Sequence, residues 1–170
     1  MLAADANAAA RGRGELVQAF GPIDAEAGPW PFDQTDYYRR ETGPEIRRFF
    51  VSFMRLVDPA QLPRIKRTTN DIEATLARAY RATGPPRPIN LDPGYVAPDK
   101  LVLATTKNRA HRIYLDAGIY AEVTLRYENR QWRAWPWTYP DYAAETYHAF
   151  FIAVRHTLHE QLRRETRANG

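Results

Sequence analysis

Asp92 stands in the stretch Asn90 to Tyr95, NLDPGY, directly before a Pro-Gly turn. A carboxylate there ordinarily accepts hydrogen bonds from the amides of its own turn, and that is the first reading. Aimed into a cavity, the same side chain acts as a general base or as an oxygen ligand, and Asn90 and Tyr95 border it. His111 and Arg112 open the stretch HRIYL, and Glu122 lies in GIYAEVTL. An imidazole near a carboxylate suits proton transfer, although a histidine on an apolar strand face is more often a packed core residue. Arg112 and Glu122 read first as a cross-strand ion pair, worth under about 1 kcal/mol if exposed. If covered, they become a buried polar pair that needs further partners, as many sites do. Asp92, His111 and Glu122 are therefore the candidate catalytic groups.

Around them stand candidate binding groups. Lys100, Thr105, Thr106 and Lys107 in KLVLATTK suit a phosphate, or form a solvated lysine face. Asp36 and Tyr37, with Asp33 and Tyr38 in PFDQTDYY, either cap and pack a loop or line a cavity. Tyr139 belongs to a group with Trp132, Trp135, Trp137 and Tyr142, which packs a core or rim, or stacks on a base or sugar. His148, His156 and His159 fall on the polar side of the last helix, and His148 and His156 are too far apart in sequence for one zinc-binding turn. No metal site is expected, and the sequence assigns no cofactor.

The 170 residues, 44% of them hydrophobic and 12% aromatic, suit one globular domain over 1–170, with frayed ends at 1–14 and 164–170. Without cysteine, the chain has no disulfide, thiolate ligand or cysteine nucleophile, which fits a reducing compartment. No membrane-length apolar run and no apolar signal core are present, and a cytoplasmic protein without a membrane partner is expected. A net charge of +4 suits an anionic partner without naming one.

The elements that must position these groups follow from periodicity. A helix ends at Gly21-Pro22, with its start weakened by Gly12 and Gly14, and the Pro- and Gly-rich stretch from Ile23 to Gly43 reads as loop and short extended pieces. EIRRFFVSFMRLV alternates as a central strand. Asp58 caps a turn before a helix from Arg64 to Arg81, whose stripe is Ile65, Thr69, Ile72, Leu76 and Tyr80. PINLD supplies a short edge strand, and KLVLATTK is read as a helix that puts Lys100 and Lys107 on one face. Two alternating runs around Asp116-Ala117-Gly118 predict a hairpin that pairs Leu115 with Ile119, Tyr114 with Tyr120, Ile113 with Ala121, Arg112 with Glu122 and His111 with Val123. A third strand, QWRAWPW, follows. A long helix from Tyr139 to the basic tail buries Tyr147, Phe150, Phe151, Val154, Leu158 and Leu162. The fold class is α+β, a single-domain sandwich with a largely antiparallel sheet, a late hairpin and meander packed on helices, and a long C-terminal helix.

PFDQTDYY, NLDPGY, KLVLATTK, HRIYL with GIYAEVTL, and WTYPDY together resemble the motifs of the prokaryotic DUF4416 family, a domain of unknown function, from about Glu15 to His148. The resemblance implies a β-strand ahead of the first helix, of which Met1-Leu2-Ala3 is the stub here. A start placed too far downstream, or loss of the strand, accounts for this, and loss would bare a sheet edge. Some relatives carry a GTP-binding label, to which no GxxxxGK[ST] loop of this sequence corresponds.

Two functional readings remain. In the first, a small ligand-binding protein or enzyme gathers Asp36, Asp92, Lys107, His111 and Glu122 around an anionic metabolite or nucleotide, with acid-base or Mg²⁺-assisted chemistry. In the second, a noncatalytic module binds RNA or a protein through basic and aromatic surface.

Overall fold

The computed structural model describes residues 1–32, 39–82 and 84–168, apart from the side chains of Arg39 and Arg40. Asp33, Asp36, Tyr37 and Tyr38 lie outside the described residues. Two compact units emerge, Met1–Val57 with Arg64–Pro93, and Asp58–Pro63 with Gly94–Gly170. Both mix helices with antiparallel strands, so the class is α+β. Among the described residues, no helix is long and apolar enough to cross a membrane.

In the first unit, β1 (Leu2–Ala3), β2 (Ile23–Pro31), β3 (Arg47–Phe53) and β4 (Ile89–Asn90) form an antiparallel sheet in the order β2-β3-β1-β4. Helices α1 (Ala6–Phe20) and α3 (Leu62–Tyr80) supply Ala9, Leu16, Ile72 and Leu76 to a core shared with Ala3, Ile89 and Leu91 of the strand region. The short α2 (Arg39–Thr42) precedes β3. Asp5 caps α1 by accepting from Ala8 N at 2.7 Å, and Asp58 caps the turn before α3 by accepting from Ala60 N at 2.9 Å. Pro63 sits in the first turn of α3, where its missing N–H costs nothing.

The stretch read as loop from Ile23 contains the nine-residue β2 instead. It is an edge strand with two register shifts, and such a strand accommodates Gly28 and Pro29 because one side needs no ladder donor. The stub at Met1 lies inside the sheet rather than at its edge, pairing Leu2 with both Arg48 and Asn90. The Met1 amino group donates to Phe49 O at 2.9 Å. Burial, helped by the Arg48 charge, lowers its pKa to about 5, so at neutral pH it serves as an uncharged ladder donor.

In the second unit, β5 (Gly94–Val96), β6 (Lys100–Thr105), β8 (Ile119–Glu128) and β7 (Ile113–Asp116) form an antiparallel sheet in that order, and β9 (Gln131–Ala134) pairs with β8. KLVLATTK is thus a strand and not a helix. Leu101, Val102 and Ala104 are all buried, and a strand covered on both faces loses the alternation that distinguishes it from a short helix. The hairpin pairs Tyr114 with Tyr120 and Ile113 with Ala121 as expected. Its loop is the tighter Ala117-Gly118, both with positive φ, and Asp116 rather than Leu115 opposes Ile119 across a shifted register.

The C-terminal segment breaks at Ala144, whose backbone is extended, into α4 (Pro140–Ala143), a 3-10 turn at Glu145–Tyr147 and the long α5 (His148–Ala168). Tyr142, Tyr147 and Phe151 are buried with Leu125 and Trp132, whereas Leu162 of the expected stripe is exposed. The Trp132 and Phe151 rings meet edge to face at 6.3 Å.

The two glycines of α1 have opposite roles. A Cβ on Gly12 would lie 2.1 Å from Ile89 Cδ1, whereas one on Gly14 meets nothing within 4 Å. Gly14→Ala is expected to stabilise the protein by up to about 1 kcal/mol through helix propensity, and Gly12→Ala to destabilise it by about 1–3 kcal/mol through overpacking. Urea denaturation of both variants checks the pair, and equal stabilisation by both would contradict the packing at Ile89.

Candidate functional site

β8 is longer than its neighbours on one edge. β7 pairs along Ile119 to Ala121 and β9 along Leu125 to Glu128, which leaves the backbone around Glu122, Val123 and Thr124 without a strand on that side. Side chains after β9 replace the missing ladder. Trp137 Nε1 donates to Val123 O at 3.2 Å, and the Thr138 hydroxyl donates to Thr124 O at 2.6 Å while accepting from Trp135 N at 2.8 Å. Carbonyls left bare at such a gap would cost about 1–3 kcal/mol each, so the tryptophan-rich turn is fixed against β8.

Glu122 projects from this gap and is 3% exposed. One carboxylate oxygen, Oε2, accepts from Arg112 Nε at 2.8 Å and contacts His111 Nε2 at 3.1 Å, while Thr124 Oγ1 lies 3.4 Å from Oε1. Arg112 is held further by Lys107 O at 2.9 Å and the Tyr139 hydroxyl at 3.4 Å. Burial disfavours its charge, but the bonds to Glu122 and Tyr139 prevail and raise the guanidinium pKa. The sequence-derived pair is therefore the buried one, supported by third and fourth partners. His111 does not oppose Val123 among apolar neighbours. It lies in the turn before β7, where it is free of the strand register and swings to Glu122.

The His111 ring also stacks on Trp137, with centroids 5.4 Å apart and planes 12° apart. Trp137 stacks in turn on Trp135 at 5.2 Å and 5°, and the Arg126 guanidinium lies 4.4 Å from the Trp135 ring centroid. A column of three stacked rings ending on a guanidinium thus runs along the edge, and no single spacing in the sequence announces it. About a quarter of the His111 side chain is exposed, and among the described residues Nδ1 has no partner.

The remaining predicted residues scatter. Lys107 and Arg109 are exposed on the loop beside His111. Thr105 Oγ1 accepts from Lys107 N at 3.2 Å and shapes that loop. Tyr95 packs on the core of Leu62, Val102, Ala104 and Ile119, while Lys100 pairs with Asp99 at 3.3 Å at the other end of β6. Among the described residues, no cluster of acids and histidines has the geometry to hold a metal.

Asp92 and Asn90 belong to the first unit. Asn90 Nδ2 donates to Asp92 Oδ2 at 2.6 Å, and Lys66 Nζ donates to Leu91 O at 2.7 Å with Asp92 Oδ1 at 3.4 Å. Glu73 accepts from Leu91 N at 2.6 Å and from Arg87 at 2.8 Å, and Arg87 also donates to Asn90 Oδ1. Asp92 therefore turns its carboxylate to a lysine of α3 rather than to its own turn. Lys66 and Glu73 were passed over in the sequence. Their seven-residue spacing puts both on one side of α3, beside the stripe of Ile65, Thr69, Ile72 and Leu76, which was the available signal.

Burial alone would raise the Asp92 pKa, but Lys66, Arg48, the chain's amino group and the Asn90 amide hold it below the usual carboxylate range. Its stabilising contribution is therefore complete above the unfolded value and lost as pH falls through the lower folded value. The Asp92 contribution is expected to be lost below roughly pH 4, and Asp92→Asn to flatten that part of the acid limb. Denaturation midpoints at a series of pH values check this, and a variant curve parallel to wild type would contradict the ion pair.

The chain matches, over residues 1–158, the family described as Domain of unknown function (DUF4416). No curated protein and no solved structure matches it. The chain belongs to the DUF4416 family.

Proposed function

We propose that the second unit binds an anionic ligand carrying a planar ring, of the nucleotide class, at the His111 end of the aromatic column. The supporting observation is the state of His111. Glu122 engages Nε2, Trp137 supports the ring face, and Nδ1 stays unengaged on a partly exposed side chain. Between the two neutral tautomers, a carboxylate that only accepts selects the one with the proton on Nε2, in which Nδ1 is an acceptor. The imidazole is then oriented to take a proton from a ligand or, once protonated, to donate to its phosphate. Lys107 and Arg109 on the adjoining loop supply positive charge for the anionic part.

Asp92 has no part in this reading, because its carboxylate is committed to Lys66 and Asn90 within the first unit. Glu122 and Arg112 position the imidazole, and Tyr139 positions Arg112. The arrangement serves binding and acid-base chemistry alike, and a bound substrate would decide how far the proton moves.

Titration calorimetry with nucleoside monophosphates, with ribose 5-phosphate as the ring-free control, tests the proposal. Wild type is expected to favour the nucleotide over the sugar phosphate by about tenfold, consistent with 1–3 kcal/mol from stacking one base. Trp137→Ala and His111→Ala are each expected to erase that preference. Equal affinity for the two ligands, or unchanged preference in folded variants, would overturn it.

A further inference from the structure

On β8, Arg126 lies directly between Lys100 of β6 and Arg133 of β9, so three cations stand in register across three adjacent strands. Residues directly opposite in an antiparallel pair share a face and sit about 5 Å apart, so like charges there repel. The acids nearby relieve this only in part. Asp99 reaches Lys100 at 3.3 Å and Glu128 reaches Arg126 at 3.2 Å, but both pairs are solvent-exposed, and Arg133 has no acidic partner among the described residues. Exposed pairs of this kind are weak and easily exchanged for another anion.

The opposite face of this part of the sheet carries Leu125 and Trp132, both buried. The cation row therefore lies on the other face, which is buried farther along β6 at Val102 and Ala104 but at this end leaves Lys100 and Arg126 half-buried and Arg133 and Gln131 of β9 exposed. The row leads straight into rings, because Arg126 covers Trp135, which stacks on Trp137 and so leads to His111. Cations in a line across three antiparallel strands, joined to stacked aromatics at the sheet edge, match a chain of phosphates carrying planar bases. They match a small anion poorly, since one phosphate cannot span three strands about 4.8 Å apart.

We propose that this face of the second unit binds single-stranded nucleic acid, with Lys100, Arg126 and Arg133 along the phosphates and the Trp137–His111 end taking a base. The surface deepens the nucleotide-class reading above and rests on it only for that base. The unpaired strand is favoured because a duplex hides its base faces, whereas this surface offers rings beside its charges. Sequence preference is expected to be slight, since stacking and phosphate contacts do not read base edges.

Fluorescence anisotropy of the full chain with a labelled 12-nucleotide single strand, a matched duplex and anionic phosphatidylserine vesicles as competitor tests it. The single strand is expected to bind at least tenfold tighter than either a mononucleotide or the duplex. Its log affinity should fall against log salt with a slope of roughly −2, as three phosphate contacts at about −0.7 each require. Arg133→Glu, an exposed change that the fold tolerates, should weaken the single strand by about tenfold or more and shallow the slope. Single-strand affinity no greater than that of a mononucleotide would overturn this surface while leaving the nucleotide reading in place. Full retention of single-strand binding in folded Arg133→Glu or in folded Trp137→Ala would overturn the proposal, since it needs both the cation row and the base on the stack. Equal binding of duplex, or complete displacement by the vesicles, would show a general polyanion or lipid surface and overturn the proposal.

Discussion

The site depends on one buried carboxylate. Glu122 emerges where β8 has lost its strand neighbour, and it accepts from Arg112 and His111 through the same oxygen. An uncompensated charge at 3% exposure would cost several kcal/mol, so the guanidinium is an obligatory companion. Once Arg112 is fixed, its remaining donors fix Lys107 O and the Tyr139 hydroxyl, and with them the loop and the turn on either side. The position of His111, the stack of Trp137 and Trp135, and the exposure of one imidazole nitrogen all follow from that anchor.

The gap in the ladder explains why the anchor is where it is. Two strands share one edge of β8 end to end, and the backbone between them would be wasted unless side chains served it. Trp137 and Thr138 do so, which brings aromatic surface to the sheet edge as a by-product of satisfying carbonyls. A hydrogen-bond requirement of the fold thus becomes a ring platform, and its neighbouring cations give it a sign.

The sequence disclosed what depends on short range. The hairpin register came from alternation, and it brought Arg112 and Glu122 together because each lies one residue beyond the Ile113–Ala121 pair. The cap at Asp58, the α3 stripe and the edge strand at Ile89 were legible for the same reason. What failed was doubly buried or tolerant of odd residues. β6 lacks alternation because both faces are covered, β2 hides behind the proline and glycine that an edge strand accepts, and the break at Ala144 carries no glycine or proline to mark it. The cavity expected to join Asp92 to His111 and Glu122 drew on both compact units, and its Asp36 lies outside the described residues. Asp92 is claimed by Lys66, a contact between α3 and the loop after β4 that is invisible to local pattern.

The account turns on Glu122 holding one nitrogen of His111 and leaving the other open. Nitrogen-15 NMR of the imidazole in its neutral form reads this directly, because protonated and bare ring nitrogens differ widely in chemical shift. The account predicts a single tautomer with the proton on Nε2 and a bare Nδ1, and a mixture once Glu122 becomes Ala. A proton on Nδ1, or a tautomer mixture in the unaltered protein, would contradict it.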